Sequence, residues 1–94
     1  MKIDFETVLR NLDDKEMTDE ENSPVKLVNV CTNALMVIEK DDDGEKKLEK
    51  YGLAIKIKNG EANLKAEEVA LLKKVVGKYF GPLIVGRAYE ILDA

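Results

Sequence analysis

The chain has no histidine, no tryptophan, one cysteine and two prolines among its 94 residues. Without histidine there is no Ser–His or Cys–His nucleophile pair, and the commonest imidazole base and metal ligand is missing. A single cysteine, Cys31, permits no intramolecular disulfide and makes a reducing compartment the default. Aromatic residues are scarce too, with two Phe and three Tyr. A chain rich instead in Leu, Val, Ile and Ala favours helices packed through aliphatic ridges over an aromatic-rich β-sandwich. No stretch approaches the ~20 apolar residues of a membrane span. The opening MKIDFETVLR carries acids where a secretory signal needs an unbroken apolar run. A cytoplasmic protein without membrane contact is expected.

What is present is unevenly charged. Residues 1–50 carry 8 Lys/Arg and 14 Asp/Glu, a net of −6, whereas residues 51–94 carry 7 and 5, a net of +2. An acidic front half argues against a general nucleic-acid binder, which shows a basic stripe. The length suits one domain with one core.

Apolar spacing predicts a mainly α-helical single domain, 1–94, of four to five short helices. Phe5, Val8, Leu9 and Leu12 fall on one helical stripe, with Asp4 as N-cap. A competing reading takes Ile3 and Phe5 as alternating strand residues, Asp13-Asp14 as a turn and Lys15-Glu16-Met17 as the return of a short β-hairpin. The helix is preferred. Residues 13–23 read as a solvated acidic loop. Ser23-Pro24 reads as the start of a helix whose apolar face runs through Leu27, Val30, Cys31, Ala34, Leu35 and Ile38. A helix from about Glu45 to Lys58 should bury Leu48, Tyr51, Ala54 and Ile55, with Gly60 as its stop. Over 53–63 a β-hairpin turning at Asn59-Gly60 competes with it. Helices over 66–80 and 82–92 follow, joined at Gly81-Pro82. Gly77 and Gly86 inside them suggest close helix approach or a bend.

Two stretches imitate binding loops. Gly81–Ala88, GPLIVGRA, approaches the phosphate loop G-x-x-x-x-G-K-[ST]. Arg87 stands where the lysine is needed, Ala88 has no hydroxyl, Pro82 lacks an N–H, and the preceding residues are helical rather than strand. Glu39–Glu45, EKDDDGE, imitates the front of a calcium loop, but Lys50 falls where the bidentate glutamate belongs. Neither supports a cofactor or metal. Carboxylate pairs such as Glu67-Glu68 lack the apolar surroundings that raise a pKa for acid–base work. Cys31 reads as a small core residue. No catalytic constellation is found, and a non-enzymatic protein is expected.

The stretch LKAEEVALLKKVVGKYFGPLIVGRAYEIL, Leu64 to Leu92, resembles the C-terminal end of small phage and prophage proteins. MKIDFETVLRNLDDKEM and VKLVNVCTNALM are similar in style to their N-terminal parts. The resemblance is to proteins of the morphogenesis module, of the tail-assembly-chaperone kind. It implies protein binding in a bacterial host cell, with phage tail components as partners, and carries over no active-site residues. The apolar surplus of the last two helices offers a candidate partner or self-association surface: Val75, Val76, Tyr79, Phe80, Leu83, Ile84 and Arg87. The alternative is a small regulatory protein contacting nucleic acid through Lys73, Lys74, Lys78 and Arg87. No aromatic residues interleave there to stack bases, and a solvated helix face accounts for these cations better.

Overall fold

In a computed structural model that describes residues 2–60 and 63–93, the chain is mainly α-helical. The four helices are α1 (Leu27–Leu35), α2 (Gly44–Lys58), α3 (Ala66–Tyr79) and α4 (Pro82–Leu92). α1 packs against both α2 and α3, and α3 packs against α4. Leu27, Cys31, Leu72, Val76, Ala88 and Leu92 are wholly buried at the centre of one core.

The preferred N-terminal helix is absent, and the strand alternative describes this segment better. Buried Ile3, Phe5 and Leu9 lie at even spacing, which is the strand period, while Leu12 is 86% exposed at a turn. Asp4 turns its carboxylate onto the Glu6 N–H at 3.0 Å, closing a local turn rather than opening a helix. A single helix of nine residues is marginal without strong packing, so this competition goes to the turns.

The supposed acidic loop is structured, and it contains a short repeat that composition hides. The Asn11 Oδ1 accepts from the N–H groups of Asp13 and Lys15 at 2.9 and 3.1 Å. Eight residues on, the Asp19 Oδ1 accepts from Glu21 and Ser23 at 2.9 and 3.0 Å. Asp14 and Asn22, again eight apart, take positive φ of 62° and 61°, which these residue types tolerate best after glycine. Antiparallel bridges Arg10↔Glu16 and Thr18↔Pro24 flank the turns, and Val8↔Lys26 closes the set. The N–H of Leu9 donates to the Val25 carbonyl, that of Met17 to Leu9, and that of Val25 to Met17, at 2.8, 2.8 and 3.0 Å. Three extended arms therefore close into a ring, with Leu9, Met17 and Val25 packed on the helices.

Ser23-Pro24 does not start α1, because Pro24 sits in this ring. The helix begins at Leu27, three residues later. Its first amides are met by main chain: Leu27 N–H donates to the Thr7 carbonyl at 2.9 Å and Val28 N–H to that of Phe5 at 2.8 Å. Those bonds do the work of a side-chain cap. α1 stops at Leu35, so Ile38 is 88% exposed rather than on its buried face.

α2 forms as a helix, not a hairpin. The Asp43 carboxylate caps the Lys46 N–H at 2.8 Å, and Gly60, at φ 94°, follows the Asn59 cap as the stop. Glu61 and Ala62, on the hairpin's return arm, lie outside the described residues. The buried face of α2 is Lys50, Leu53, Ala54 and Ile57; only Ala54 belongs to the expected set. α3 opens with Glu68 accepting from the Lys65 N–H at 2.8 Å, and Glu68 also meets Lys56 of α2 at 3.1 Å. At the corner, Gly81 caps α4 and Pro82 begins it. Gly77 marks a close approach: a Cβ there would stand 2.5 Å from the Tyr89 hydroxyl. Gly86 faces open space, so it serves no helix contact.

Candidate functional site

The loop that imitates a calcium site is filled by the protein's own cation. Lys50, 4% exposed, reaches out of α2 into the α1–α2 loop. There its Nζ donates to the Glu39 Oε1 at 2.6 Å and to the Asp42 carboxylate. Lys78 of α3 donates to the other Glu39 oxygen at 2.6 Å. Hydrogen bonds from Lys50 and then Lys78 hold the Glu39 carboxyl down to about 2. Burial, the largest single influence on Lys50, favours its neutral form, but the bonds to Asp42 and Glu39 outweigh it and leave its pKa raised. Among the described residues no group of three His, Cys, Asp or Glu is arranged to hold a metal ion. The cluster is a clasp: it ties the loop to α2 and α3.

What the clasp presents is apolar. Just before Glu39, Met36, Val37 and Ile38 are 51%, 37% and 88% exposed. They border a shallow cavity of about 160 Å³ with Tyr51 and Lys47 of α2. The outward face of α2 continues the surface through Leu48, Tyr51 and Ile55, at 68%, 56% and 43% exposure. These were the residues expected to be inside. α2 carries two interleaved stripes of the same period, 48-51-52-55 and 50-53-54-57. A lysine in the second made the first look like the core. The signal that distinguishes them is the acid pair Glu39 and Asp42, which gives Lys50 a buried partner.

The partner residues expected from sequence are divided. Val75 and Val76 are core, at 1% and 0% exposure. Tyr79, Phe80 and Ile84 are half-buried and pack against that core. Leu83 and Arg87 line a groove of about 560 Å³ with Leu12, Pro82, Gly86 and Glu90. Arg87 also holds the first turn in place, donating to the carbonyls of Arg10 and Asn11 at 3.0 and 2.9 Å. Of the basic ridge, Lys73 pairs with Asp93 at 2.8 Å, Lys78 with Glu39 at 2.6 Å and Arg87 with Glu90 at 3.3 Å. Burial pushes the Cys31 thiol up to about 12, far from thiolate chemistry.

The fold is thus that of a small helical protein with a turn-rich N-terminal ring, and the chain matches no protein-family model, no curated protein and no solved structure. No helix among the described residues is long and apolar enough to cross a membrane.

Proposed function

We propose that the protein is a non-enzymatic interaction and assembly factor that binds protein through the Met36–Val37–Ile38 turn and the outward face of α2. The phage morphogenesis kind, to which Leu64–Leu92 bears its resemblance, supplies the setting: a tail component as partner in the cytoplasm of a bacterial host. The observation that carries the reading is one continuous side on which six large apolar residues stand exposed while a charged clasp holds the loop beneath them. Surfaces of that kind mark contact with protein.

Affinity capture from an infected or induced host tests it. The wild type is expected to retain a tail component that the exposed-site variants Leu48→Glu and Ile38→Glu lose. Equal capture by all three proteins would remove the α2 face from the mechanism, and retention of no morphogenesis protein would remove the setting. The nucleic-acid reading is weaker, since three of its four cations are engaged in ion pairs. Duplex DNA binding that persists at low salt and weakens with Lys74→Ala would revive it.

A further inference from the structure

The outward stripe of α2 has a glycine at its middle. Leu48, Tyr51, Gly52 and Ile55 follow the i, i+3, i+4, i+7 pattern of one helix face. Among the described residues, no atom beyond its two chain neighbours and the helix backbone lies within 4 Å of where a Cβ on Gly52 would stand. A mid-helix glycine weakens a helix relative to alanine, and no intramolecular contact uses the space it leaves. Between large apolar neighbours, that gap admits a second helix at close range.

The borders of the stripe are charged in an ordered way. On a helical wheel Glu45 and Glu49 lie along one border, and Lys47 and Lys58 along the other. Among the described residues Glu45, Lys47 and Lys58 form no ion pair, and Glu49 reaches only Lys46, at 3.6 Å. Lys56, on the acidic border, is already met by Glu68 at 3.1 Å.

We propose that this face is occupied by a second copy of the chain, with the two α2 helices parallel about a two-fold axis that runs along them. Such an axis sets the acidic border of each copy against the basic border of the other. Along the helix, Lys47 stands about 3 Å from the levels of both Glu45 and Glu49, so it falls between them. The antiparallel arrangement instead brings Lys47 against Lys58 on one border. In the parallel arrangement Lys58 comes level with Lys56 of the second copy, whose charge Glu68 already offsets. An isologous interface has to be self-complementary, and with Lys56 so met the borders are self-complementary in the parallel orientation. The dimer rests on the protein-binding reading of this side of the molecule: the second copy takes the α2 stripe, and the Met36–Val37–Ile38 turn beside it is left to the tail component.

Light-scattering mass across a concentration series is expected to approach twice the 10.5 kDa of the chain. Leu48→Glu and Lys47→Glu should each weaken association by at least about tenfold, since like charges then meet across the axis. Adding Glu45→Lys and Glu49→Lys to Lys47→Glu should restore it. Circular dichroism verifies that each variant is folded. Leu48→Cys should cross-link to its twin under mild oxidation, with Cys31, 0% exposed, taking no part. Cross-linking only between Leu48→Cys and Ile55→Cys chains would overturn the parallel geometry. A monomer at every concentration would overturn the dimer. If Leu48→Glu still abolished partner capture in that case, protein binding by α2 would stand without it.

Discussion

Tyr89 of α4 reaches across to α3 and adds a polar tie to the aliphatic packing between the two helices. Its O–H donates to the Lys73 carbonyl at 2.5 Å while its ring lies 5.0 Å from the Lys73 ammonium. Gly77 leaves the room for it. Gly77→Ala alone gains about 1 kcal/mol of helix propensity, but its methyl displaces the hydroxyl and costs about 1 kcal/mol or more in a lost hydrogen bond. With Tyr89→Phe in place the nearest ring atom is 3.6 Å away, an ordinary contact. Gly77→Ala should therefore stabilise the Tyr89→Phe protein by up to about 1 kcal/mol and do nothing, or harm, in the wild type. Urea midpoints of the four proteins measure this, and simple additivity of the two substitutions would refute it. Glu39 gives the acid side of the stability curve its shape. Its folded pKa lies below its unfolded one, so its contribution is complete above about 4.5 and is lost as the pH falls toward about 2. Glu39→Gln should flatten that part of the acid limb, seen by urea unfolding at stepped pH; an unchanged slope would mean the clasp is not formed in solution.

At the scale of elements, the helices that end up in the core were legible and the N-terminal ring was not. α3 and α4 came out within a residue of expectation, because acids in the first turn of α3, Gly81-Pro82 and a dense aliphatic face all point the same way. In residues 3–12 two periods overlap: Phe5, Val8, Leu9 and Leu12 fit a helix, while Ile3, Phe5 and Leu9 fit a strand. What decides between them is non-local, namely the Val25 and Met17 main-chain groups that pair with Leu9. The candidate site was missed for a related reason, since Lys50 is buried only because Glu39 and Asp42 lie on another element. The eight-residue spacing of Asn11/Asp19 and Asp14/Asn22 was visible in the sequence and is the signal to have used. It makes a prediction of its own. Asn22→Gly should be tolerated at φ 61° whereas Asn22→Val should cost about 1–2 kcal/mol; thermal unfolding of the pair measures the gap, and equal stability would show the turn to be dispensable.

The whole molecule is fully condensed without the outward face of α2. Its radius of gyration is 13.0 Å, and about 13 Å is expected of a compact domain of this size. Leu48, Tyr51 and Ile55 are therefore not remnants of loose packing. The two stripes of α2 should respond oppositely to substitution. Leu53→Ala, at 4% exposure on the inner stripe, should cost about 2–5 kcal/mol at any protein concentration. Leu48→Glu, on the outer stripe, should stay within about 0.5 kcal/mol of the wild type in dilute solution. Association changes this with concentration, because a dimer that forms only from folded chains raises the midpoint by mass action. The wild-type Tm should climb across a hundredfold rise in concentration, and the Leu48→Glu Tm should stay level. Scanning calorimetry at both ends of that range measures it, and parallel behaviour of the two proteins would leave the outer stripe with no role in self-association.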